Sequence, residues 1–85
     1  MRVKRRPVIK ATVKWWSDEE GWGVLDTPDA PGGIFVHFSG TDGEGYKSLS
    51  AQQVVELELE GPLRFEQDGC RYRGWHVRPV ARSLE

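Results

Sequence analysis

The sequence has a single cysteine, Cys70, so no disulfide can close within the chain. That thiol and two histidines fall short of the four ligands a structural zinc site takes. The longest apolar runs are a few residues, far below the ~18 that a membrane-spanning helix needs, and no charged segment leads into an apolar one as in a secretion signal. The chain is therefore expected to be soluble and cytoplasmic, with no membrane, metal or cofactor. Helical periodicity is nearly missing too. At 85 residues there is room for one domain, because independent domains rarely run much below ~50 residues. A chain this short buries only about 60% of the surface it exposes when unfolded, so without metal or disulfide it needs an efficient closed architecture.

Positive charge is also scarce, but only in the middle. The formal charge of −1 conceals three blocks. Residues 1–10 carry Arg2, Lys4, Arg5, Arg6 and Lys10 against no acid. Residues 11–63 carry only Lys14 and Lys47 against ten acids, and residues 64–82 carry five arginines against Glu66 and Asp68. This asymmetry predicts a basic arm over 1–10, a domain over 11–80 with an acidic middle and a basic last strand, and a short tail over 81–85.

What the sequence does have is β-branched and aromatic runs bounded by Gly, Pro, Asp and Ser clusters. They predict strands over 8–16, 21–26, 34–38 and 54–60. A long loop over 39–53 has room for one helical turn. The fourth strand has the clearest pattern: Val55, Leu57 and Leu59 alternate with Glu56, Glu58 and Glu60, giving one core face and one solvent face. Asp68-Gly69 is a two-residue hairpin signal, expected between strands over 63–67 and 70–80. Five main strands in so short a chain must hide their edges, and closure into a barrel does this. The predicted fold is all-β, a five-stranded antiparallel Greek-key barrel of the OB type, with an SH3-like barrel as the second choice.

Alternation sorts the rings. In Gly21-Trp22-Gly23-Val24-Leu25, Trp22 and Val24 share one face; in Ile34-Phe35-Val36-His37-Phe38, Phe35 and His37 share one. Leu25, Ile34 and Val36 meet the demand of the core. Trp22, Phe35 and His37 are left on the outer face of adjacent strands. Four Trp, three Phe and two Tyr exceed what a small barrel can enclose, and exposed contiguous aromatic surface marks a binding site. A platform of rings flanked by glycines suits flat ligands, above all the bases of a single-stranded nucleic acid.

Four segments carry a resemblance: Thr12-Val13-Lys14-Trp15-Trp16, Gly21-Trp22-Gly23-Val24-Leu25, Ile34-Phe35-Val36-His37-Phe38-Ser39 and Gly45-Tyr46-Lys47-Ser48-Leu49. Together, over about residues 11–79, they resemble the bacterial cold-shock domain, with its RNP1-like and RNP2-like strands. The resemblance implies a five-stranded OB-type barrel that binds single-stranded RNA and DNA by stacking bases, with RNA-chaperone or transcription and translation regulator roles. Position by position it implicates Lys14, Trp15, Trp22, Phe35, His37, Phe38 and Tyr46 in nucleic-acid contact. Trp15 and Trp16 are adjacent, so a regular strand points them to opposite faces; the resemblance favours Trp15 as the surface ring, and only a bulge would expose both.

The departures from the family pattern are informative. Glu20 replaces the lysine that opens RNP1, Val24 replaces a second stacking Phe, Ser17 replaces a common Asn, and Ala11 replaces the opening Gly. Asp18, Glu19 and Glu20 then lie beside the expected phosphate path, where they repel backbone charge and lower affinity. The basic arm and the C-terminal arginines are the expected compensation, although Arg71 and Arg73 are read first as salt-bridge partners of Glu56, Glu58 and Glu60. Trp75 has no place in the resemblance and is expected to be a buried lid.

Catalysis is not expected. His37 has no acid in a fixed nearby register, His76 and Cys70 lie on another strand, and neither a phosphate-cradling loop nor a dinucleotide fingerprint is present. A small-molecule substrate is not expected, and the working form is read as a monomer. The alternative to nucleic-acid binding is a protein-interaction module, a barrel of this type whose acidic middle has lost affinity for phosphates and whose rings dock a proline-rich or basic partner.

Overall fold

The computed structural model describes residues 6–41 and 49–80. Five strands, β1 (Val8–Ser17), β2 (Trp22–Asp26), β3 (Ile34–His37), β4 (Val54–Glu60) and β5 (Tyr72–Pro79), close into a barrel in the order β1-β2-β3-β5-β4. The predicted class is the observed one. All pairings are antiparallel except β3 with β5, which run parallel through Ile34 opposite Tyr72 and Phe35 opposite Arg73. A 3-10 turn, Phe38–Gly40, follows β3.

β1 is long because it serves two neighbours. Its first half, Val8 to Thr12, pairs with β4; its second half, from Thr12 onward, pairs with β2. Residues 8–10 of the basic segment are thus part of the barrel ladder.

The interior is filled as alternation demands. Val13, Leu25, Ile34, Val36, Val55 and Leu57 are fully buried, and Ile9, Trp16, Leu59 and Tyr72 pack around them. Two bulges switch the phase of that alternation. In β1 the register shifts between Val13 and Trp15. In a regular strand Trp15 would share the inner face with Ala11 and Val13; the extra residue, Lys14, turns it outward. In β5 the register shifts opposite Glu56 and Glu58, around His76, whose φ is +53°. Gly74 faces inward before that bulge and Val77 after it, so the core stays filled along a bent strand. A Cβ at Gly74 would lie 3.0 Å from Val36 Cγ2, which is why β5 can press directly onto the core there.

The hairpin signal holds in its turn and in the strand after it, β5, but not in the strand expected before it. Asp68 and Gly69 both have positive φ, and Gln67 and Cys70 exchange backbone hydrogen bonds of 3.0 and 2.8 Å. Residues 63–66 form no strand: beyond the Gln67–Cys70 bridge, the segment's remaining backbone tie to β5's approach is the Leu63 amide on the Arg71 carbonyl. Phe65 consequently stands exposed. Cys70 is buried, and burial first, then nearby Asp68, Asp26 and Glu66, pushes its thiol above its ordinary pKa, the setting of an unreactive packing residue.

Candidate nucleic-acid interface

The outer face of β1, β2 and β3 gathers the rings. Trp22 on β2 meets Trp15 on β1 edge-on, with centroids 4.8 Å apart and planes at 69°. On its other side Trp22 stacks on Phe35 of β3 at 5.3 Å and 30°. His37 and Phe38 form a second pair at 4.6 Å, at the end of β3. Trp15 is 39% exposed and Phe38 44%.

Local sequence explains each placement. Trp16 lies against Gly23, where an added Cβ would come within 2.7 Å of its ring. Phe38 lies against Gly21, whose φ of +76° suits glycine and whose added Cβ would sit 2.7 Å from Phe38 Cδ2. The β1–β2 turn is closed by Ser17, whose carbonyl accepts from the Gly21 amide at 2.7 Å and whose hydroxyl accepts from the Glu20 amide at 3.1 Å. His37 Nδ1 accepts from the Ser39 backbone amide at 3.2 Å, with the Ser39 hydroxyl 2.9 Å away. An amide can only donate, so the neutral ring carries its proton on Nε2 and offers that N–H as a donor.

The acids beside the platform have a role that their charge alone did not suggest. The Trp22 indole donates to Glu20 Oε1 at 3.0 Å, and the Trp16 indole donates to Asp18 Oδ1 at 3.0 Å. Each carboxylate adds a directional hold to a ring that packing also positions, Trp16 against the core and Trp22 between Trp15 and Phe35. Phenylalanine has no N–H to tether, so tryptophan at these positions gives an acid two residues away something to hold. The i, i+2 spacing was visible in the sequence and is the signal that could have revealed it.

The structure places the predicted residues unevenly. Lys14, Trp15, Trp22, His37 and Phe38 are exposed or half-buried on this side of the barrel. Phe35 lies on the outer face as alternation requires, but it is only 4% exposed. The expectation of an open ring does not hold there, because Trp22 covers one part of it and the Arg73 guanidinium stands 5.2 Å from its centroid. Tyr46 lies outside the described residues.

Two further expectations are corrected. Trp75 is not a buried lid: it is half-buried on the outer face of β5, its indole donating to Glu60 Oε1 at 2.6 Å. Arg71 and Arg73 do not pair with the β4 glutamates; Arg78 takes Glu56 at 3.2 Å, and Arg6 approaches Glu58 at 3.9 Å. Arg73 and Trp75 border the ring platform and were missed as part of it, since only the parallel β3–β5 pairing brings them beside Phe35.

Comparison with known proteins agrees with this geometry. The family profile described as "'Cold-shock' DNA-binding domain" matches residues 9–67. The chain is similar to cold shock-like protein CspC of Escherichia coli (strain K12), 40% identical over 52 residues, which is 61% of this chain and 75% of that protein. CspC of Buchnera aphidicola matches to the same extent. Glycine-rich protein 2 of Nicotiana sylvestris is 45% identical over 51 residues, 60% of this chain but only 24% of its own length.

Proposed function

This chain belongs to the "'Cold-shock' DNA-binding domain" family, and from that premise we propose that it binds single-stranded RNA or DNA, with little sequence preference, by stacking bases on the rings of β1–β3. The observation that carries the proposal is the outward set of Trp15, Trp22, His37 and Phe38, which the core does not use and of which Trp22 is held by Glu20 and His37 by Ser39. Base stacking on such rings is sequence-tolerant because every base has a π-face. Phe35 supports Trp22 from beneath, Lys14 supplies a cation at the bulge, and Tyr46 joins the set by its motif. The basic residues of segment 1–10 serve the phosphates, and the barrel, which takes in residues 8–10 as the start of β1, is the binding domain. The protein acts as a monomer in the cytoplasm, as an RNA chaperone or a regulator of transcription or translation.

The alternative, a protein-interaction module, drew its support from the acidic middle. Asp18 and Glu20 each hold an indole, which gives two of those acids a purpose compatible with nucleic-acid binding. Titration with a short pyrimidine oligonucleotide, followed by tryptophan fluorescence, decides between them. Saturable quenching that weakens with salt is expected; an unresponsive spectrum together with binding of a proline-rich or basic peptide would leave the alternative standing.

A further inference from the structure

The ring platform does not end at Phe35. Phe35 is directly opposite Arg73 in the parallel β3–β5 pair, and Arg73 and Trp75, two residues apart, share the outer face of β5. The Arg73 guanidinium carbon lies 5.2 Å from the Phe35 centroid and 4.5 Å from that of Trp75, so a flat cation rests between two rings. We propose that this is a further nucleotide subsite: a base of the bound single strand takes the place of the guanidinium between Phe35 and Trp75, and Arg73 turns to that nucleotide's phosphate. The proposal deepens the base-stacking reading and rests on it.

Three observations support it. The first is that the present seat of Arg73 is incompletely satisfied. Its Nε is buried without a hydrogen-bond partner among the described residues, and its one hydrogen bond runs from Nη1 to Gln67 Oε1 at 2.9 Å. A buried donor left unpaired favours any rearrangement that gives it an acceptor, and phosphate is the acceptor that the planar guanidinium fork fits best. Among the described residues, no carboxylate pairs with Arg73 as Glu56 does with Arg78 on the same strand.

The second observation is that Trp75 is prepared in advance. Its indole is tied to Glu60 at 2.6 Å, in the same way that Trp22 is tied to Glu20, and the inward Gly74 beside it lets β5 lie flat on the core. Such a ring is already oriented when a base arrives, so less order has to be imposed on binding. The third is charge. Arg6 also stands over Trp75, at 5.3 Å, so this end of the surface carries two arginines where the β1–β2 end carries Asp18, Glu19 and Glu20. A polyanion crossing the rings meets three acids at one end and, at the other, two arginines set against Glu58 and Glu60.

The test uses the full chain and oligothymidylates of two lengths, about four and about nine nucleotides, which bracket the lower range of single-strand site sizes for this barrel type. Trp75→Ala is expected to weaken the long oligomer at least fivefold and to leave the short one within about twofold, since the short one is accommodated on Trp15, Trp22 and His37. Arg73→Gln is expected to lower the salt slope for the long oligomer by about 0.7, one single-strand phosphate contact. Unchanged long-oligomer affinity in both variants overturns the subsite. So does tighter binding by Arg73→Gln at an unchanged salt slope, because Arg73 would then merely cover Phe35. If Trp75→Ala loses the short oligomer as well, through its fold, the Arg73→Gln slope decides. Failure of the base-stacking reading itself looks different: neither length binds the unaltered protein, or Trp22→Ala leaves both affinities unchanged, and the subsite falls with it.

Discussion

The outer surfaces of β2 and β4 are built on the same alternation and carry opposite contents. On β2 and its neighbours the outward positions are rings: Trp22, with Trp15 and Phe35 on either side. On β4 they are Glu56, Glu58 and Glu60, and each has a partner: Arg78, Arg6 and the Trp75 indole. The difference shows that the acidic middle of this chain is not one uniform repulsive field. Half-exposed pairs on β4 offset two of its charges locally, and two acids near the platform hold indoles. The indole hydrogen bonds orient those two carboxylates without removing their charge, so the acids that oppose a phosphate beside the rings are those of the β1–β2 turn.

The sharpest way to break the comparison is to treat Phe35 as if it were another Trp22. Because Phe35 is covered, Phe35→Ala should cost about 3 kcal/mol of stability in addition to weakening oligonucleotide binding. Trp22→Ala should cost roughly 1 to 3 kcal/mol of binding and much less stability. Thermal melts alongside fluorescence titrations separate the two; equal melting temperatures for both variants would show that Phe35 is an open ring after all.

A smaller effect is expected at Glu20. Gln keeps an acceptor for the Trp22 indole while removing the charge, so Glu20→Gln should tighten binding by about 0.5 kcal/mol at low salt, a gain that fades as salt rises. Glu20→Lys reverses the charge but removes the acceptor, and it is expected to gain no more than Gln. A Lys variant several-fold tighter than Gln, at matched salt, would mean that the indole tether contributes nothing to the platform.

The smallest effect belongs to the β4 side. Arg78→Ala removes a half-exposed pair with Glu56, for which about 0.2 to 1 kcal/mol of stability is the expected loss, with short-oligomer affinity unchanged. A change in that affinity comparable to the one from Trp22→Ala would erase the distinction between the two surfaces.

Much of this was legible in the chain. The strict alternation of Val55 to Glu60 specified a strand with one buried face, and β4 spans the predicted residues. Leu25, Ile34 and Val36 were assigned to the core by parity and are fully buried. The strand expected over 63–67 is not there, because a two-residue turn needs only the Gln67–Cys70 bridge to close, and Gly61-Pro62 and the exposed Phe65 leave the preceding segment without a ladder to join. Trp15's outward orientation depended on a bulge that parity cannot foresee.

The all-β class, the inward and outward sets of β2, β3 and β4, and the candidate rings follow from the chain alone, because they rest on a period of two and on the lack of any staple other than closure. Which rings are open was settled by the folded neighbourhood. The reason is that exposure on an outer face depends on the neighbouring strand, and β3's neighbour is β5, which arrives after 34 residues of intervening chain. That pairing set Arg73 over Phe35 and brought Trp75 to the edge of the platform. No local pattern in either strand records it, since parallel neighbours joined by a long crossover share no turn whose chemistry could announce their register.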